Sequence, residues 1–179
     1  MKVIETSLPG VLVIEPRIFP DARGFFAETY NKERYVACGI EQEFVQDNLS
    51  FSARGVLRGL HYQKPHAQGK LVYVLQGEVW DVAVDIRRGS PRYGQWASME
   101  LSAENKRMFF IPRGFAHGFI TLTDDVQFLY KADQFYAPQT ERSLLFSDPA
   151  LGIDWGVTAP ILAPKDAAAP LLADCDCNF

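Results

Sequence analysis

The sequence is short of several things. It contains no apolar run long enough to span a bilayer. Its opening, Met1-Lys2-Val3-Ile4-Glu5, meets an acid and then a proline too soon for a secretory signal. A soluble cytoplasmic protein is therefore expected. The chain has little excess charge: a formal net charge of −4 gives no bulk attraction to nucleic acid or to an anionic membrane. Any anion site must be a local cluster of Arg and Lys. Cysteine is scarce, with three residues, Cys38, Cys175 and Cys177. An odd number with two crowded near the end does not describe a disulfide framework. Cys175-Asp176-Cys177 also lacks a second ligand pair for a soft metal, so 173–179 is expected to be a flexible tail.

What is present is a core. Nearly half of the 179 residues are hydrophobic, and thirteen Phe, seven Tyr and three Trp supply ample packing material for one domain spanning 1–179. Short alternating segments separated by turns dominate the pattern. In Glu78–Ile86, Trp80, Val82, Val84 and Ile86 share one face, and Asp81 and Asp85 take the other. Lys70–Leu75 precedes it, with Gln76-Gly77 as a tight turn. Further strands are expected at Trp96–Leu101, Met108–Ile111, Ala116–Thr121 and Val126–Lys131, with a strand signal at Val11–Glu15. Helix signals are confined to Asn31–Cys38, capped by Asn31 and stopped by Gly39, and to one turn at Lys165–Ala169. This pattern predicts an all-β sandwich or barrel with a few short helices.

Histidine is also scarce, with three residues. Two of them lie in Gly55–Gln63, which holds His61, and Ile111–Phe119, which holds His117. The second stretch contains Pro-x-Gly-x-x-His, a pattern of the cupins, small double-sheet jelly rolls that often bind a metal. His61 is followed by Tyr62 and Gln63, so the accompanying His-x-His is missing. Two histidines without a convincing carboxylate between them fall short of a metal site, and no metal or other cofactor is expected. A lone imidazole can instead carry protons near neutral pH, best when a carboxylate holds its other nitrogen. His61, between Arg58 and Gln63, reads as a general base. His117, between Phe115 and Phe119, reads equally well as a core residue.

At these residues the chain resembles the dTDP-4-dehydrorhamnose 3,5-epimerase family. The likeness runs from about Glu15 to Leu172. It is carried by ordered blocks that include Asp21–Phe26, Phe44–Asn48, Val56–Gln63, Gln68–Val72, Ile111–Phe119, Phe128–Lys131 and Pro160–Leu172. The resemblance implies a cupin-like double-sheet jelly roll and a homodimer that shares strands across its interface. It also implies inversion of two carbons flanking a sugar ketone. By resemblance, His61 is the base, Asp166 its orienting carboxylate, Lys70 the cation near the enolate and Tyr130 the acid. Arg23, Glu28, Gln46, Asp47, Asn48, Arg58, Lys70, His117, Tyr136, Glu141 and Lys165 match substrate contacts, Tyr136 as the aromatic that stacks on thymine. Leu49 stands where the family often has His, a change of the pocket wall rather than a loss of chemistry, with its effect on pocket polarity left open. The nearest alternative is an enzyme that inverts one carbon of a related nucleotide-linked 4-keto sugar. A metal-dependent cupin dioxygenase is disfavoured by the missing His-x-His. A non-catalytic sugar-nucleotide binder is disfavoured by the combined presence of His61, Lys70, Tyr130 and Asp166.

Overall fold

The computed structural model of the chain describes residues 1–177 and 179. Two sheets face each other. The order of the first is built from β1 (Lys2–Glu5), β2 (Leu12–Glu15), β5 (Gln46–Ser52), β7 (Lys70–Gln76), β10 (Met108–Ile111) and β12 (Val126–Ala132). Its spatial order is β1-β2-β10-β7-β12-β5, which leaves β5 on an edge. The second sheet holds β6 (Leu57–Gln63), β8 (Glu78–Asp85), β9 (Trp96–Ser102), β11 (Phe115–Thr121) and β13 (Glu141–Ser143), in the order β13-β6-β11-β8-β9. A small hairpin of β3 (Ile18–Asp21) and β4 (Gly24–Ala27) stands apart from both. The pairings within these sheets are antiparallel, and the result is the expected all-β, cupin-like jelly roll.

Alternation along each strand fills three layers. Between the sheets lie Val72, Val74, Val79, Ala83, Phe109, Phe119 and Phe128. On the far side of the second sheet, Val82, Val84 and Ile86 pack under Leu144, Trp155, Leu172, Cys175 and Cys177. Both faces of β8 are therefore covered. Asp81, which the alternation sets opposite Val82, faces the inter-sheet layer and is fully buried. On the outer face of the first sheet, α1 (Lys32–Val36) brings Tyr35 onto Ile14, Leu71, Met108 and Phe110. Asn31 caps α1 by accepting from the Arg34 N–H, and Gly39 follows at φ 86°. Beyond α1 that face stays open, with Leu49 60% and Phe51 61% exposed on the edge strand.

The C-terminal segment differs from expectation. Cys175 and Cys177 are buried and joined by a disulfide between near neighbours, which links no distant parts of the chain. Asp176 pairs with Lys64 and Arg142, and Arg88 donates to the Cys175 carbonyl. The expected flexible tail is docked on the second sheet up to Cys177, because its apolar side chains complete a layer. Asn178, within that expected tail, lies outside the described residues. No helix among the described residues is long and apolar enough to cross a membrane.

Candidate active site

A cavity of about 300 Å³ opens between the two sheets, lined by residues of β5, β6, β7, β11 and β12 and of the segment Tyr136–Glu141. The second sheet contributes His61 and His117, which face each other in register across β6 and β11. The backbones run unusually close beside them. A Cβ on Gly59 would lie 2.5 Å from the Gly118 Cα and 2.7 Å from the His117 carbonyl oxygen, and Gly59 has φ 126°. Only glycine fits that position. Register shifts just beyond His117, so the irregularity sits next to the two imidazoles.

His61 Nε2 lies 2.6 Å from Asp166 Oδ1. The two residues are 105 positions apart. The fold joins them because the C-terminal segment runs along β6: Leu57 N–H donates to the Ile161 carbonyl, and α2 (Pro164–Ala167) follows. Asp166 is buried and also accepts a long 3.5 Å contact from the Gly59 N–H. With Nε2–H donated to Asp166, Nδ1 is left with a free lone pair, as a general base requires.

His117 has its own carboxylate. Its Nε2 lies 3.0 Å from both oxygens of Asp81. Burial pushes the Asp81 carboxyl up and the His117 imidazole down, and each partner opposes the other's shift. His117 is thereby held neutral, suited to hydrogen bonding rather than to carrying charge. The core reading of His117 is half right: the ring stacks near Phe128 and Phe119, yet it also lines the cavity.

The first sheet contributes Lys70 and Tyr130. Lys70 is buried, and loss of hydration pulls its ammonium down to about 8, against the pull of Asp81 and Glu141. It remains a cation at neutral pH. Its Nζ lies 5.7 Å from the centre of the Tyr130 ring. Burial, then Glu141, pushes the Tyr130 phenol up, so it stays protonated and able to donate. Arg58 is held by Ser52 Oγ at 3.1 Å and by the Phe51 carbonyl at 3.2 Å. Lys165 pairs with Glu141 at 2.8 Å.

The structure thus gathers His61, Lys70, Tyr130, Asn48, Arg58, His117, Tyr136, Glu141 and Lys165 around one cavity, with Asp166 behind His61. Gln46 acts through the wall: its side-chain oxygen accepts from the Tyr136 N–H at 2.9 Å. Three expected contacts lie elsewhere in this chain. Asp47 alternates with Gln46 and Asn48, so the pleat turns it to the outer face, where it pairs with Lys131. Arg23 is engaged with Asp21 at the tip of the β3–β4 hairpin, and Glu28 with Arg34. Leu49 points outward as well, and so leaves the polarity of this cavity unchanged.

Sequence reasoning missed Asp81, Ser50 and Gln63. Asp81 was visible as an acid in an apolar strand, but its partner was not. Gln63 is buried; it accepts from the Ala137 N–H at 2.9 Å and donates to the Phe135 carbonyl, bracketing Tyr136. Among the described residues no group of three or more His, Cys, Asp or Glu side chains is arranged to hold a metal ion.

Known proteins resemble the chain over nearly its whole length. The family model described as dTDP-4-dehydrorhamnose 3,5-epimerase matches residues 5–174. A dTDP-4-dehydrorhamnose 3,5-epimerase from Pseudomonas aeruginosa is 55% identical over 179 residues, covering 99% of each chain. The crystal structure of a dTDP-6-deoxy-D-glucose-3,5-epimerase from Legionella pneumophila, in complex with dTDP-4-keto-L-rhamnose, is 53% identical. It superposes with a TM-score of 0.95, covering 98% of this chain and 94% of that one. A 3′-monoepimerase from Streptomyces bikiniensis, in complex with dTDP-quinovose, is 35% identical with a TM-score of 0.88, covering 94% and 86%. The chain belongs to the dTDP-4-dehydrorhamnose 3,5-epimerase family.

Proposed function

We propose that the chain inverts C3 and C5 of dTDP-4-dehydro-6-deoxy-D-glucose, giving dTDP-4-dehydro-L-rhamnose. The observation that carries this reading is the division of groups between the sheets. A carboxylate-backed imidazole, His61, faces the cavity from one sheet, and a half-buried phenol, Tyr130, faces it from the other. A sugar ring held between them has a base on one face and an acid on the opposite face.

Protons on C3 and C5 are acidified by the C4 ketone. His61 Nδ1 removes one, and the electron pair of the C–H bond moves toward O4 as the enolate forms. The imidazolium is stabilised by Asp166. Lys70, a buried cation at neutral pH, favours the negative oxygen in a place where water competes poorly. As the electron pair moves back from O4, Tyr130 gives a proton to the same carbon from the opposite face; the tyrosinate is then reprotonated from solvent and His61 releases its proton to solvent. Repetition at the second carbon completes the double inversion. His61, Lys70 and Tyr130 between them supply the base, the charge stabilisation and the acid of this step, so it is written without a metal, nicotinamide or other cofactor.

Arg58, Asn48, Tyr136, Glu141 and Lys165 surround the remaining space with the cation, amide and aromatic groups that a thymidine diphosphate needs. The same reading makes the chain a cytoplasmic homodimer without nucleic-acid or membrane partners. Its open outer face at Leu49 and Phe51 suits a second copy, and an exchanged β3–β4 hairpin offers Arg23 and Glu28 a route to a neighbouring site. The test is NMR of the product formed from dTDP-4-keto-6-deoxyglucose. A rhamno-configured product is expected. A singly inverted sugar would assign the chain to the mono-epimerases instead.

A further inference from the structure

The inward face of the edge strand β5 carries Gln46, Asn48, Ser50 and Ser52. Two of these are satisfied within the protein. Gln46 donates to Asn48 Oδ1 at 2.8 Å, and Ser52 Oγ accepts from Arg58 at 3.1 Å. The other two hydrogen-bonding groups, Asn48 Nδ2 and Ser50 Oγ, are buried without a hydrogen-bond partner among the described residues, and both residues line the cavity. Buried polar groups are seldom left so, because each unpaired one costs as much as a lost hydrogen bond. In an active site, such groups mark where a ligand supplies the missing partner.

The register of β5 locates that partner. Asn48 lies opposite Tyr130, Ser50 opposite Phe128 and Ser52 opposite Val126. Gln46, at the start of the strand, holds the Tyr136 backbone, and Ser52, at its end, holds Arg58. The strand thus grades from the aromatic that would stack on the base to the guanidinium. Ser50 is one pleat from the Arg58 anchor. Its opposite neighbour, Phe128, stacks on Phe119 at 4.0 Å and offers no polar atom.

We propose that Ser50 is a further substrate-binding residue, donating its hydroxyl hydrogen to an oxygen of the substrate's diphosphate beside Arg58. This rests on the thymidine-diphosphate sugar reading given above. The hydroxyl has no hydrogen-bond partner among the described residues and gains one in the complex.

Ser50→Ala and Ser50→Thr are compared with the unmodified enzyme by calorimetric titration with dTDP, by steady-state kinetics and by thermal unfolding. Ser50→Ala is expected to weaken dTDP binding and raise KM by roughly 10- to 100-fold, as for loss of a hydrogen bond to a charged group. Its kcat is expected to stay within about twofold and its unfolding temperature without ligand to be unchanged or higher, since no protein hydrogen bond is removed. Ser50→Thr, which keeps the hydroxyl, restores most of the affinity. Unchanged dTDP affinity in Ser50→Ala overturns the proposal, whether kcat is intact or falls; a fall would move the contact to the sugar. Loss of stability in Ser50→Ala, or failure of Ser50→Thr to restore binding, also overturns it in favour of a packing role. If the unmodified enzyme fails to bind dTDP, the substrate reading itself is at fault, which is a separate result.

Discussion

His61 and Tyr130 enter the same cavity from opposite sheets of the sandwich, His61 on β6 and Tyr130 on β12. With the roles proposed for them, proton removal and proton return are separated in space by the fold itself. Inversion needs that separation, because a single group on one face returns the proton to the side it came from.

Asp166 is expected to matter through His61. Asp166→Asn keeps the shape but replaces the acceptor of the His61 Nε2–H with an amide, which stabilises the imidazolium poorly. A fall in kcat of on the order of 100-fold or more is expected, with dTDP affinity little changed. Steady-state kinetics beside a dTDP titration checks this; an unaltered kcat would detach Asp166 from the chemistry.

Lys70 sets an alkaline limit. Its folded value is lowered to about 8, so the ammonium is present below that pH and is lost above it. If the cation stabilises the enolate, kcat/KM falls as pH rises through about 8. Lys70→Arg stays charged and loses that limb, at whatever lower rate it retains. Asp81 pulls Lys70 upward, so Asp81→Asn moves the limb to lower pH. The sign for stability is opposite to that for activity. Between about 8 and the ordinary lysine value the unfolded chain binds more protons, so this group makes the fold more stable as pH rises there.

The proposed homodimer is testable at the open outer face. Leu49→Asp with Phe51→Asp places charge on two exposed apolar positions of β5 and is expected to convert a dimer to monomers in gel filtration. Activity should fall with it if Arg23 and Glu28 serve a neighbouring site. A double variant that remains dimeric would place the contact elsewhere.

Truncation after Asp174 removes the buried Cys175 and Cys177 and the ion pairs of Asp176. A loss of roughly 2–4 kcal/mol is expected from the exposed apolar surface. Chemical denaturation measures it directly. A truncated chain of full stability would show that this segment contributes nothing to the layer it covers.

Many strands and the two histidine stretches were legible because they write themselves locally. Period-two alternation marked β8, β9, β10 and β12, and the odd setting of His61 singled it out. The pairing of His61 with Asp166 was not local, and the matching blocks alone supplied it. No strand was read at β5, so Asp47 was grouped with Gln46 and Asn48 by resemblance until the pleat separated it from them. Asp81 was seen on the face opposite Val82, but nothing in one strand tells which layer covers that face. The docking of Cys175 and Cys177 escaped because two cysteines beside an aspartate carry no sign of the layer beneath them.

The central claim is that His61 removes the protons beside the ketone. It is tested most directly by NMR of deuterium uptake at C3 and C5 of the substrate in deuterated water, comparing the unmodified enzyme with His61→Asn. The account predicts uptake at both carbons with the unmodified enzyme and none above background with His61→Asn. Undiminished uptake at either carbon with His61→Asn would contradict it.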